Sequence, residues 1–241
     1  MQRLRGTIYV DDGAIQPSQL TFSGRHVSQA DYESWHLLTV RWDGEILGCI
    51  RFLRHPNTVH YHQLRVSDAP PAHSGDWANG FFSSISSELE AARRFNFSYV
   101  EIGGWALASE LRGTTEALHA VLSTYALAQL QGGALGITTA TERNGSASIL
   151  RRLGGRSLEW DGAALPPYFD DQYRCEMEVL RFDSRNPSAR FASTVNTLRN
   201  QVATLPIFCP GERSDAEKGP SLFSNLLQGF VQQTAAVPAF S

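Results

Sequence analysis

The chain has 241 residues, 42% apolar and 19% charged, a globular composition that excludes a disordered, collagen-like or repeat chain. Its 21 basic and 24 acidic residues give a net charge of −3, which argues against a strongly basic nucleic-acid binder. No stretch approaches the roughly 18 apolar residues of a membrane span, and MQRLRGTIYVDDG lacks the apolar run of a signal peptide.

Residues 1–35 read as an N-terminal extension that includes a first strand. HLLTVRWDGEILGCIRFLR, over 36–54, reads as a hairpin. Two β-rich runs flank Asp43-Gly44, a pair suited to the positive φ of a tight primed turn. VHYHQLRV, over 59–66, reads as a third strand, with His60 and His62 on one face. Two histidines so placed could hold a metal, but no third ligand is apparent, so no metal is expected. Asp68 to Gly80 reads as loop. Phe82, Ile85, Leu89 and Ala92 recur at helical spacing over 81–96. A strand follows over Ser98 to Leu107, broken by Gly103-Gly104, which marks a bulge or a close backbone approach.

Leu118, Val121, Leu122, Tyr125 and Leu130 then make an apolar helical face that ends at Gly132-Gly133. Ala134 to Thr141 is a strand, and ERNGSASILRRLGG is a turn, a short helix and a glycine stop. Tyr173 to Phe182 alternates like a half-exposed strand. After Asp183, SRNPS reads as a linker. ARFASTVNTLRNQVATL carries the stripe Phe191, Val195, Leu198, Val202 and Leu205, and SLFSNLLQGFVQQ could form one more helix. Cys49, Cys175 and Cys209 are too scattered for a disulfide framework or a cysteine zinc site, so a cytoplasmic protein is expected. The basic residues are 20 arginines and one lysine, Lys218, which confines lysine-based covalent chemistry to that position.

Residues 98–155 carry the most informative pattern. A strand is followed by R-x-x-T-x-A (Arg112, Thr115, Ala117) at the mouth of a helix. A second strand then leads to a short helix ending in Leu153-Gly154. This resembles the GCN5-related N-acyltransferase (GNAT) superfamily, whose donor motif is R/Q-x-x-G-x-G/A. Thr115 stands where that motif has its middle glycine. The resemblance implies a mixed α/β (α+β) fold over 36–182. A central mixed sheet, splayed in the middle and flanked by helices, would be followed here by a helical extension over 183–241. A tyrosine four residues before the family's glycine ordinarily protonates the leaving thiolate; counting back from Gly154 gives Leu150. ILRRLGG, EIGGWAL and QYRCEMEVLRFD look more like the bacterial N-acyl amino acid synthases and autoinducer (acyl-homoserine-lactone) synthases. These use acyl-carrier-protein donors. Their fourth strand carries E-x-S-R. Glu101 matches the glutamate, and Gly103 and Gly104 occupy the Ser-Arg positions.

The resemblance implies an acyltransferase with no permanently bound cofactor. Acyl-CoA or an acyl-carrier-protein thioester would be the donor and a small amine, such as an amino acid, the acceptor. Gly113, Thr114, Thr115 and Ala117 would present helix N-terminal amides to donor phosphates; an ordinary N-cap is the plain alternative. The amides of Trp105, Ala106 and Leu107 would hold the oxyanion and the pantetheine arm. Glu101 is the expected general base, with a sheet-face ion pair as its alternative. Asp170 and Asp171 could bind the acceptor's ammonium or simply form a solvated turn. From Arg143 to Leu158 there are four arginines (Arg143, Arg151, Arg152, Arg156) and no acid, a docking patch for phosphates or an acidic carrier protein. A plain acetyltransferase, a non-catalytic module and a homodimer remain open.

Overall fold

The structure is a computed structural model that describes residues 1–75, 77–143 and 145–209. Lys218 and the helix expected over 221–233 lie outside the described residues. Residues 1–203 form one compact unit, and a second begins at Thr204. The helices α1 (Gln2–Asp11) and α6 (Ala192–Val202) therefore belong to the first unit together with the sheet.

The first strand expected within 1–35 is instead α1. Gly6 and the β-branched Thr7, Ile8 and Val10 disfavour a helix locally, and tertiary contacts override them. Arg5 turns inward, and Ile8 packs against Cys49 and Ala106. Strands β1 (Trp35–Val40) and β2 (Ile46–His55) form the expected hairpin. Gly44 sits at φ +90° and its N–H donates to the Arg41 carbonyl. Asp43 does not share the positive φ, so the connection is not a two-residue primed turn.

The strand expected over 59–66 is absent. Two 3-10 turns, Tyr61–Gln63 and Arg65–Asp68, replace it. Gln63 Oε1 accepts the His60 N–H, and Glu101 captures the amides of Arg65 and Val66, so polar partners curl the segment. Val59, Leu64 and Val66 are buried all the same. His60 and His62 stack ring on ring at 5.8 Å. Among the described residues, no three His, Cys, Asp or Glu side chains cluster as metal ligands, and no helix is long and apolar enough to cross a membrane.

Within the expected loop, α2 (Pro70–His73) is a single turn. Helix α3 (Ala78–Phe95) ends on Asn96, which adopts the left-handed conformation. Its buried stripe starts at Phe81; Phe82 is exposed and meets Tyr61 edge-on. Strand β3 (Ser98–Leu107), helix α4 (Glu116–Leu130), strand β4 (Ala134–Thr141) and helix α5 (Ser146–Leu153) follow as expected. Short strands β5 (Arg156–Ser157), β6 (Glu159–Trp160), β7 (Ala163–Ala164) and β8 (Tyr168–Asp170) lead into β9 (Cys175–Asp183).

The main sheet has the order β1-β2-β3-β4-β9-β5, and β8 also pairs with β9. Only β3 and β4 run parallel; the other pairs are antiparallel. One face is packed by α4, α5 and α6 through Leu122, Tyr125, Leu150, Leu153 and Val195. The other is packed by α3 and the 59–69 segment through Leu64, Val66, Ile85 and Leu89. β9 is consequently covered on both faces over much of its length: Glu178, Val179 and Leu180 are all buried. The half-exposed expectation fails there because helices cover both sides.

Candidate active site

The site begins where the central parallel pair ends. β3 and β4 pair only from Ser98–Ala134 to Glu101–Ile137, although β3 continues to Leu107 and β4 to Thr141. The Thr138 hydroxyl donates to the Ile102 carbonyl at 2.7 Å and closes the crotch of the resulting V. A cavity of about 760 Å³ occupies the gap, with residues 102–107 and 138–141 on its two walls. That volume suits a medium-sized organic ligand. On the cavity side, the β3 main chain beyond Glu101 has no strand partner among the described residues.

The glycine pair is a bulge. Cys49 faces Ala106 and Arg51 faces Gly103, so β3 carries one residue more than β2 between these pairs. Gly104 takes φ +60°. The extra residue reverses the side-chain alternation. Ala106 then lies with Cys49 and Ile8, while Trp105 turns to the α4 face. A Cβ on Gly104 would lie 3.1 Å from the Arg5 guanidinium and 3.2 Å from Arg51 Cβ. On Gly103 it would meet only the tip of Arg51, at 3.2 Å. Gly104→Ala is therefore expected to cost about 1–2 kcal/mol, and Gly103→Ala less, in chemical unfolding. Equal costs would contradict the assignment of strain to Gly104.

The glycines make room for two guanidiniums. Arg5 is 1% exposed and grips Asp31 with two hydrogen bonds of 2.9 and 2.5 Å. Its Nε donates to His26 Nδ1 at 3.1 Å and its Nη2 to the His26 carbonyl at 2.7 Å. Asp31 also accepts from the Ser28 amide and Gln2. Burial alone would raise the Asp31 carboxyl; the Arg5, Ser28 and Gln2 hydrogen bonds outweigh it and hold it at about 2. Burial, then Arg5, pushes His26 below its ordinary value, in keeping with its role as a neutral acceptor. Arg51 fares differently. It reaches Ser28 Oγ only at 3.4 Å and Asp31 Oδ1 at 3.7 Å, and among the described residues its buried Nε has no partner. Burial, then the nearby Arg65 charge, lowers its pKa.

Glu101 sits at the last paired position of β3, buried to 6% exposure and lining the cavity. Its Oε1 accepts the Arg65 N–H and His55 Nε2, and its Oε2 accepts the Val66 N–H, each at 2.9 Å. An ionised carboxylate offers about four lone-pair sites, so one on Oε2 stays open.

Most of the residues singled out from the sequence converge on this cavity. Glu101, Gly103, Gly104, Trp105, Ala106, Leu107, Arg112, Gly113, Ala117, Asp170 and Asp171 all line it. Thr114, Thr115, Arg151 and Arg152 do not. The Thr114 hydroxyl closes its own turn, accepting from the Glu116 N–H and donating to the Leu111 carbonyl. Arg112 is held by Asp12 at 2.9 Å. The arginine run also proves less free than its sequence suggests. Arg151 bridges Glu142 and Glu178, both at 2.7 Å, and Arg143 donates to the Asp12 carbonyl. Asp170 Oδ1 accepts the Tyr173 N–H, so part of that carboxylate serves the turn before β9.

Sequence reasoning missed Ile8 and Tyr9 of α1, Arg51, Arg65, Tyr168 and Tyr173, all of which line the cavity. Burial pushes the three phenols up. Arg51 carried one signal: it is the lone charge within the apolar run ILGCIRFL. Leu150, which the resemblance sets at the place of a tyrosine, lines the cavity as well.

No family model and no curated protein matches the chain. Solved structures do. The chain is similar to a coenzyme A-dependent acyl-homoserine lactone synthase, BjaI, solved with SAM and isopentyl-CoA. The identity is 15% over 95% of this chain and 89% of that one, with a TM-score of 0.54. FeeM, an N-acyl amino acid synthase from uncultured soil microbes, matches at 12% identity over 76% of this chain and 82% of that one, with a TM-score of 0.49. The fold is thus GNAT-like, a mixed sheet flanked by helices.

Proposed function

We propose that the chain is an N-acyltransferase that moves an acyl group from a coenzyme A or acyl-carrier-protein thioester onto an amine. The splayed β3/β4 cavity with its bulge at Gly104 is the observation that carries this reading. A thioester arm laid along the unpaired edge of β3 would find main-chain donors and acceptors at Trp105 to Leu107, in the order a strand would. The acyl carbon would then lie near the bulge. The bound molecules in the BjaI structure, SAM and isopentyl-CoA, suit the same division into an acceptor and a thioester donor.

The chemistry needs few groups. A neutral amine attacks the thioester carbonyl, the C–N bond forms, and the C–S bond breaks as the tetrahedral intermediate collapses. The amine's proton passes to the open lone pair of Glu101 Oε2, directly or through water, and the thiolate is protonated on release. Leu150 cannot supply that last proton. Gly113 and Ala117 line the donor end, where the first turn of α4 carries partial positive charge.

Coenzyme A at about a hundred times its dissociation constant should stabilise the chain by about 2.7 kcal/mol, a rise of several degrees in melting temperature. If neither coenzyme A, an acyl-CoA nor an acyl-carrier protein moves the melting temperature, the donor assignment fails.

A further inference from the structure

An alkyl thiolate is a poor leaving group unless a donor meets its sulfur. The β4 wall of the cavity carries hydroxyls opposite the bulge. Thr138 spends its own on the Ile102 carbonyl. Thr139, Thr141 and Ser146, the first residue of α5, line the cavity as well. Thr141 Oγ1 and Ser146 Oγ lie 3.2 Å apart, and either could donate to the other. Among the described residues neither hydroxyl has a second partner. One proton of the pair is therefore spent inside it, and the other is left for a ligand. A hydroxyl that accepts one hydrogen bond is also a better donor of its own proton.

The pair stands at the level where the sulfur would lie. The last β3/β4 pair is Glu101–Ile137. Counted outward from it, Thr139 is level with Gly103 and Thr141 with Trp105. With the acyl carbon at the bulge and the arm running along Trp105 to Leu107, the sulfur is the next atom outward. It then lies beyond Thr139 and opposite the Thr141–Ser146 pair. Ser146 and Leu150 are one helical turn apart on α5 and both line the cavity. Leu150 has no proton to offer, so Ser146 is the donor on that helix face.

We propose that Ser146 is a catalytic residue whose Oγ–H hydrogen-bonds the departing sulfur, with Thr141 as the positioning residue that donates to Ser146 Oγ. This rests on the acyl-transfer reading. As the tetrahedral intermediate collapses, the carbonyl re-forms and the C–S electron pair passes to sulfur. The anion is held by the Ser146 hydroxyl and takes its proton from water on release. Ser146 keeps its own proton throughout, as befits an alcohol, which is a weaker acid than a thiol. The bond strengthens only as the sulfur becomes negative, so it favours the transition state over the bound thioester.

The test compares coenzyme A with desulfo-coenzyme A, which lacks the sulfur, by calorimetry on the full chain. It is run near neutral pH and at about pH 9.5, where a thiol is largely ionised. A site that prefers the thiolate makes coenzyme A gain on its desulfo analogue as pH rises, here by about tenfold. Ser146→Ala should abolish that gain, Ser146→Thr should keep most of it, and Thr141→Val should reduce it. Thiol release is followed in parallel with whichever acyl thioester the chain turns over, coenzyme A or carrier protein. There Ser146→Ala should lower kcat by about tenfold to a hundredfold and leave the KM for the thioester little changed. The proposal is overturned if coenzyme A gains nothing over its desulfo analogue, if Ser146→Ala keeps the gain, if its kcat stays within about threefold of the parent, or if Thr141→Val loses more than Ser146→Ala. Any of these results with thiol still released by the parent leaves the acyltransferase standing. If neither coenzyme A compound binds and no acyl thioester releases thiol, the acyl-transfer reading falls and takes the role of Ser146 with it.

Discussion

Asp31→Ala is expected to lower the melting temperature by about 10 °C. The substitution strands Arg5, 1% exposed, among Gly104, His26 and Arg51 with no counter-charge. Breaking one side of a buried ion pair costs about 3–5 kcal/mol, and about 1 kcal/mol is worth 2–4 °C in a domain of this size. Replacing both partners with apolar residues, Arg5→Met with Asp31→Leu, should recover part of the loss, because Arg5's charge goes with its partner while Arg51 loses its 3.7 Å contact with Asp31. The pH dependence follows from Asp31's depressed pKa of about 2. Its stabilisation is complete above the ordinary carboxylate value and disappears as pH falls through about 2. The gap between parent and Asp31→Ala should therefore be widest near neutral pH and close between about pH 4 and pH 2. A constant gap across that window, in urea midpoints, would mean that the ion pair is not what the substitution removes.

The same pair explains what the sequence showed and what it hid. Elements set by apolar periodicity and glycine stops (β1, β2, α3, β3, α4, β4, α5) were legible from residues close in the chain. So was the Gly103-Gly104 interruption, as a bulge. What the sequence hid depends on long-range polar contacts. α1 has a strand-like composition, and it is a helix because Arg5 reaches Asp31, 26 residues away, and Ile8 reaches β2 and β3. The 59–66 segment alternates like a strand, yet Glu101, 35 and 36 residues on, takes its amides. Charges were hardest to place. The run from Arg143 to Arg156 looked free because its acid partner Glu178 is supplied from β9, and Glu142 lies just before the run. Arg51 looked like a single flaw in an apolar strand, and it lines the cavity beside the bulge.

Glu101 decides whether the cavity is only built or also reactive. The anchor role is visible: three donors converge on the carboxylate and hold the 65–68 turn against β3. Glu101→Gln keeps the shape but turns one acceptor oxygen into a donor NH₂. At least one of the converging N–H groups is then left facing another donor, a cost of about 1–3 kcal/mol. If the anchor were the whole role, loosening the 65–68 turn on the cavity wall would mainly raise KM, with kcat within about tenfold of the parent. If Oε2 also takes the amine's proton, the loss falls on kcat, by about 10²–10⁴-fold, while coenzyme A affinity stays unchanged. His55→Phe separates the two further. It removes one donor to Oε1 and leaves both main-chain amides and the open Oε2 site in place, so kcat should change far less than in Glu101→Gln. Both variants should be assayed well below their melting temperatures. A kcat for Glu101→Gln within tenfold of the parent would leave Glu101 as a buried brace and move the search for the base to His55 or to a water in the cavity. We expect the larger loss, because the open lone pair on Oε2 belongs to a buried carboxylate that lines the cavity at the point where the sheet opens.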